Sequence, residues 1–286
     1  MSGIDVRGLR VVIGDRVVVD DVSLRVAPGE CLAIVGESGA GKSMIAHALL
    51  GLAPQGATVT AERLSVDGLE LRDADESAWR AVRGARVALV SQDALVSLDP
   101  FRRIGREIEE PLEIHTREAA PERRRRAQAA LESVAMPDAA RRMGAHPHEL
   151  SGGLRQRALI ASALVTDPPL IIADEPTTAL DATVQRRILR LLRGIVDAGT
   201  GLLVITHDLA AAAQLADRIA VVQEGAIVEL GPAAQLLVQP QHAHTRELVD
   251  AWRVRPASRP VRADAPVLVA EGLAKDFAGS GRVVDD

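Results

Sequence analysis

Cys31-Leu32-Ala33-Ile34-Val35-Gly36-Glu37-Ser38-Gly39-Ala40-Gly41-Lys42-Ser43 joins an apolar, strand-sized run to a glycine-rich stretch, and Ser43 to Leu50 continues with the apolar face of a helix. Strand, flexible loop and helix in that order open an α/β sheet. Gly36 to Ser43 fits the phosphate-binding loop pattern without a mismatch, in the strand-to-helix context the pattern requires. Glycines let backbone N–H groups turn inward around phosphates, and the helix N-terminus adds positive potential. Lys42 is placed to reach the β- and γ-phosphates, and the Ser43 hydroxyl to ligate Mg²⁺. Gly36, Glu37, Ser38, Gly39, Ala40, Gly41, Lys42 and Ser43 are therefore candidate nucleotide contacts. Lys42 and Lys275 are the only lysines of an arginine-rich chain, and a forked guanidinium would replace the compact ammonium badly here.

Outward from this stretch the pattern changes twice. Upstream, Ile4 to Leu24 is β-branched and alternating, with turns at Gly14-Asp15 and Pro28-Gly29, which predicts short antiparallel strands forming a β-rich edge. Downstream, Ile104 to Glu149 turns helical and polar. Pro121-Glu122 opens a helix there whose apolar face is Ala127, Ala130, Leu131 and Val134. This predicts an inserted α-helical subdomain over about 97–165. Arg123 to Arg126 reads as the solvated face of that helix. Leu170 to Ala173 and Leu202 to Ile205 are runs of buried-strand type, each followed by a helical segment, as parallel strands covered on both faces require. Leu170-Ile171-Ile172-Ala173-Asp174-Glu175 ends on two adjacent acids. One carboxylate can hold Mg²⁺, making Asp174 the metal candidate, while Glu175 faces an attacking water as base or water-orienter. Alone, two acids after a strand read equally as a solvated loop. The phosphate-binding loop gives them chemical meaning.

Composition removes other classes. The 286 residues are 47% hydrophobic and 26% charged, and no apolar run approaches the ~18 residues of a spanning helix. Ile4 to Arg10 alternates charge and apolarity with no basic patch before an apolar core, so no secretory leader is read and a cytoplasmic protein is expected. The lone cysteine, Cys31, reads as a small core residue. A net charge of −5, the absence of tyrosine and only two phenylalanines argue against nucleic acid as a partner. After Ala251 the chain becomes rich in arginine and proline through Pro260, predicting a linker over 252–266 after a folded unit at 1–251. Residues 267–286 then repeat the opening. Gly8-Leu9 returns as Gly272-Leu273, and Val18-Val19-Asp20-Asp21 as Val283-Val284-Asp285-Asp286, with one residue inserted between. This predicts the start of a second copy cut short at Asp286.

Leu150-Ser151-Gly152-Gly153-Leu154-Arg155-Gln156-Arg157, just before the acidic strand, resembles the signature of ATP-binding cassette proteins. The resemblance extends to Gln92 after Val87 to Val90, to Ala179-Leu180-Asp181 and to Thr206-His207-Asp208, in order along residues 4 to about 250. Any one of these motifs alone would be weak; an isolated His207 reads as an ordinary surface or core histidine. Together they imply a P-loop ATPase core with ATP and Mg²⁺ as ligands. Two cassettes would pack head to tail, with ATP between the phosphate loop of one and Ser151, Gly152 and Gly153 of the other. Gln92 would sense Mg²⁺ and the water, His207 the γ-phosphate, and Asp181 the opposite site.

Ser91 to Pro100, His146 to Ser151 and the tail Pro240-Gln241-His242-Ala243-His244-Thr245 look like the dipeptide, oligopeptide and nickel importer branch. That resemblance implies membrane permease subunits, a second ABC domain in cis or trans, an extracytoplasmic solute-binding protein and a place on the cytoplasmic face of the membrane. The tail histidines lack acidic or cysteine ligands at metal spacing and read as structural or surface groups. Two positions depart from the family. Leu154 replaces a common glutamine, and Ile13 stands where an aromatic ring usually stacks on adenine, with Phe277 at the matching place of the repeat. Weakened adenine binding is expected. A soluble cassette acting on ribosomes or DNA, and a weakly hydrolysing regulatory cassette, are the competing readings.

Overall fold

The computed structural model describes residues 3–92, 94–178 and 180–253, and the backbone of 275–277 and 281–284. The chain divides into two compact units, Met1–Trp252 and Arg253–Asp286.

The first unit starts with the alternating segment, which forms β1 (Ile4–Ile13) and β2 (Arg16–Val26) around the predicted turn at Gly14-Asp15. The apolar run after Pro28-Gly29 is β3 (Cys31–Val35), and the glycine loop leads into α1 (Lys42–Leu49). Three short strands, β4 (Ala57–Thr60), β5 (Arg63–Val66) and β6 (Leu69–Glu70), then return to β1. They give an antiparallel sheet in the order β2-β1-β5-β6, with β4 also on β1. After α2 (Glu76–Val82) and β7 (Val87–Val90) comes the helical insertion. It contains α3 (Ala94–Ser97), α4 (Ile104–His115), α5 (Ala120–Ser133), α6 (Ala139–Arg142) and α7 (Gly152–Leu164), as the sequence predicts. The chain then alternates through β8 (Leu170–Asp174), α8 (Ala182–Asp197), β9 (Gly201–Thr206), α9 (Leu209–Leu215) and β10 (Arg218–Gln223). It finishes with β11 (Ala226–Pro232), α10 (Ala233–Val238) and α11 (Ala243–Arg253).

The second sheet runs β11-β10-β3-β9-β8-β7, parallel except for the β10–β11 hairpin. Its strands are apolar on both faces, so successive side chains serve different cores. Leu32, Ile34, Leu170, Ile172, Leu203 and Ile205 pack with α1 and the antiparallel sheet. Cys31, Ala33, Val35, Ile171, Ala173, Leu202 and Val204 face the other way, against buried residues of α4, α5, α7, α8 and α9. Cys31 is fully buried, and loss of hydration, reinforced by the Asp217 charge, pushes its thiol up to about 12. It is the inert core residue expected of it.

The arginine run departs from a simple solvated face. Arg125 is exposed and pairs with Glu122, but Arg126 reaches from α5 to Glu118, Asp167 and the Val165 carbonyl, and Arg123 donates to the Glu118 carbonyl. Half of the run thus ties the insertion together. In the second unit β12 (Lys275–Phe277) and β13 (Gly281–Val284) form an antiparallel hairpin. It closes on the pair Phe277–Gly281, as the β1–β2 hairpin closes on Ile13–Arg16, with one more residue in the turn. The predicted linker and the Gly272-Leu273 and Asp285-Asp286 repeats lie outside the described residues, apart from Trp252 and Arg253.

Candidate nucleotide site

The C-terminal ends of parallel strands leave an open crevice in such a sheet, and most of the predicted site residues gather there. The loop after β3 is held against the rest of the sheet by backbone approaches that exclude a side chain. A Cβ on Gly36 would stand 2.3 Å from the Val222 carbonyl oxygen. One on Gly41, whose φ is +95°, would stand 2.6 Å from that of Val18. Gly41 caps α1 without a side-chain hydrogen bond, and the first turn contains no acid. The positive helix end is left for an anion. Lys42 is buried, and its ammonium donates to the carbonyls of Gly36 at 2.9 Å and Glu37 at 2.7 Å. Two of its three donors thus brace the loop. Burial pulls its pKa below the usual lysine value, while the nearby Glu175 and Asp174 pull the other way.

Asp174 ends β8 and is also buried, with Oδ1 lacking any hydrogen-bond partner among the described residues. Desolvation raises its pKa, and the Ser43 hydroxyl beside it is the main opposing influence. A carboxylate kept from water next to a hydroxyl is an oxygen donor set suited to a small hard cation. These residues fit Mg²⁺.

Glu175 follows in a left-handed backbone conformation, φ +50°, that a residue with a side chain seldom adopts. Its amide donates to Ile205 on β9, and this turn presents the carboxylate to β9's end. Oε1 accepts from the His207 amide at 3.0 Å and lies 2.7 Å from His207 Nδ1, while Oε2 accepts from the Thr178 hydroxyl at 2.9 Å. A carboxylate only accepts, so the His207 proton in this contact sits on Nδ1. The acid is buried, but the His207 side chain is 59% exposed and faces outward. The pairing of Glu175 with His207 and the role of Thr178 were not legible in the sequence. Strand register creates the first, while the second is a local contact three residues on, for which the Thr-Thr pair just past the acids was the available signal.

Gln92 lies exposed just beyond β7, the strand beside β8. Ser151, Gly152 and Gly153 sit elsewhere, at the start of α7. Ser151 is its N-cap residue, exposed and making no capping hydrogen bond, so a second helix end and its hydroxyl stand open. A Cβ on Gly153 would meet only Leu180 and Val184 in ordinary contact, which places the signature beside the Asp181 segment. Asp181 itself caps α8, accepting from the Thr183 and Val184 amides at 2.9 and 3.0 Å. These bonds hold its carboxyl below the usual aspartate range. Ile13 is half-buried at the end of β1. It is not part of the wall of the cavity adjoining Glu37 to Ala40, whereas Arg16, its cross-strand partner, is.

A phosphate loop, two acids at a strand end and a second open helix start on this sheet topology define an ATP-binding cassette. The ABC transporter family profile matches residues 19–178, and the chain belongs to that family. It is 44% identical over 251 residues to the peptidoglycan transport ATP-binding protein YejF of Agrobacterium fabrum, covering 87% of this chain and 45% of that protein. Thus it spans less than half of that relative's length. It is 40% identical over 240 residues to the dipeptide transport ATP-binding protein DppD of Lactococcus lactis, covering 83% of this chain and 69% of that one. Among solved structures, the dimeric ATP-binding cassette MJ0796 in a post-hydrolysis state with ADP and Pi superposes with a TM-score of 0.72. The identity is 28%, with 80% of this chain and 98% of that one covered.

Proposed function

We propose that the chain hydrolyses MgATP to drive import of peptides or related solutes through separate membrane permease subunits, to which it binds on the cytoplasmic face. The observation that carries this reading is the buried, hydrogen-bonded Glu175 beside an unpartnered Asp174 and the braced Lys42. The names of the relatives, peptidoglycan and dipeptide transport proteins, supply the solute class, and others named peptide import ATP-binding proteins support the direction. In this reading the Gly36–Ser43 amides and Lys42 hold the phosphate chain, and Glu175 orients and deprotonates the attacking water. His207, steadied at Nδ1 by Glu175, turns its Nε2 side to the γ-phosphate. Ser43 and Asp174, with Gln92 near them, would hold Mg²⁺, which would supply neutralisation of the charge on the phosphate oxygens.

Ser151, Gly152 and Gly153 form a second anion site, which serves the nucleotide of a partner cassette packed head to tail. Asp181, next to that site, is positioned to report on it. The dimeric state of MJ0796 supports this arrangement. The matching closure of the β1–β2 and β12–β13 hairpins, and the greater length of YejF, support a partner cassette in cis. A solute-binding protein outside the membrane would deliver the cargo. Affinity purification in mild detergent, with mass spectrometry of the co-purifying chains and bound small molecules, tests the reading. Permease subunits and peptides are expected. Recovery of ribosomal proteins or DNA, with no membrane subunit, would overturn it.

A further inference from the structure

A cavity of about 390 Å³ adjoins the phosphate loop on the flank formed by Glu37, Ser38, Gly39 and Ala40, a volume within the range of small-molecule sites. Its other walls are the start of β2, the β10–β11 turn at Glu224-Gly225, and the first turn of α11, which contributes His244. Lys42, Ser43, Asp174 and Glu175 are not among the lining residues. A phosphate chain held by the loop has its terminal phosphate toward those acids, so this cavity adjoins the other end of the chain.

Two side chains give the cavity its chemistry. His244 is 6% exposed, and its Nε2 is buried with no hydrogen-bond partner among the described residues. Its Nδ1 lies 3.8 Å from the exposed Glu247 carboxylate. An imidazole both donates and accepts, and leaving a buried ring nitrogen unpaired is costly unless a ligand completes it. Arg16 is exposed at the mouth and forms no ion pair among the described residues. A planar guanidinium stacks well on an aromatic face, and Ile13, across the hairpin from it, offers no such face.

We propose that Arg16 and His244 form the nucleoside subsite. Arg16 stacks on the purine, and His244 hydrogen-bonds the base or ribose, so the tail helix α11 reads nucleotide occupancy directly. This rests on the assignment of Gly36–Ser43 to the phosphate chain.

The test is calorimetric affinity of the full chain for MgATP and for magnesium tripolyphosphate, which has the phosphates but no nucleoside. Wild type is compared with His244→Phe, Arg16→Gln and Lys42→Ala. His244→Phe and Arg16→Gln should each weaken MgATP about fivefold or more and leave tripolyphosphate within about twofold of wild type. Lys42→Ala should weaken both ligands. MgATP, and not tripolyphosphate, should slow amide exchange in α11 (residues 243–253). If either folded variant loses both ligands equally, or if both keep wild-type MgATP affinity, the subsite is refuted while the phosphate assignment stands. Unchanged binding in Lys42→Ala would instead overturn the assignment beneath it. Arg16 is exposed, so its variant keeps the test decisive if His244→Phe does not fold.

Discussion

Glu175→Gln separates folding, binding and chemistry because the contacts of this carboxylate are fully accounted for. Oε1 accepts both the amide and Nδ1 of His207, and Oε2 accepts the Thr178 hydroxyl. A glutamine can place its carbonyl oxygen against the two His207 donors and its NH₂ against Thr178, whose hydroxyl rotates to accept. The cost to folding is therefore below about 1 kcal/mol, that of weakening a charge-assisted bond without orphaning a group. The φ of +50° at Glu175 is the same strain for either side chain. The amide has no useful basicity, so the chemical step should lose about 100- to 10,000-fold, or about 3–5 kcal/mol of transition-state stabilisation. ATP affinity should stay within about threefold, since the phosphate contacts through Lys42 and the loop amides remain. The assay is single-turnover hydrolysis with excess protein, alongside equilibrium binding and size-exclusion chromatography with MgATP. The variant should accumulate as an ATP-bound dimer. Hydrolysis within about threefold of wild type would remove Glu175 from the reaction, and loss of ATP binding would show that the substitution acts on structure instead.

Two further substitutions probe the walls of the site. Gly41→Ala combines a strained φ with a Cβ placed 2.6 Å from the Val18 carbonyl, so it should cost at least about 1–3 kcal/mol in chemical denaturation; an unchanged midpoint would contradict the loop geometry. Asp174→Asn should raise the melting temperature of the nucleotide-free protein at neutral pH while abolishing the further rise given by MgATP. A carboxyl whose folded pKa is raised contributes stability below its unfolded value and loses it as pH climbs through the folded one. The advantage of the asparagine should accordingly fade as pH falls through the carboxylate range, and a constant advantage would mean that charge is not its cause.

Local sequence exposed the parts of this site that a single segment builds. The loop, its lysine, the acidic strand end and the open start of α7 each arise from residues contiguous in the chain, so propensity and motif chemistry were enough. What stayed hidden depends on register between distant segments. His207 meets Glu175 because Asp174 stands beside Ile205 in the β8–β9 pairing. Packing between distant segments likewise turned part of the arginine run into ties across the insertion, whereas the capping of α8 by Asp181 is local, to amides two and three residues on. The structure buries His244, as a structural histidine requires. What the tail alone does not announce is that α11 returns to the phosphate loop and sets this histidine beside Glu37 to Ala40.

These features share one energetic direction. Asp174 is an acid deprived of water, Lys42 a base deprived of water, and His244 a buried ring nitrogen without a partner. Glu175 adds a backbone conformation its side chain disfavours. Each raises the free energy of the nucleotide-free state, and such costs persist only where surrounding structure over-determines them. Here the surroundings are two dense cores on opposite faces of one sheet. A cation at Asp174, phosphate oxygens at Lys42 and a nucleoside at His244 would relieve three of the four costs at once. The stability gained on binding should thus exceed what the new contacts alone provide, and nucleotide occupancy would then act as the switch in the proposed ATPase.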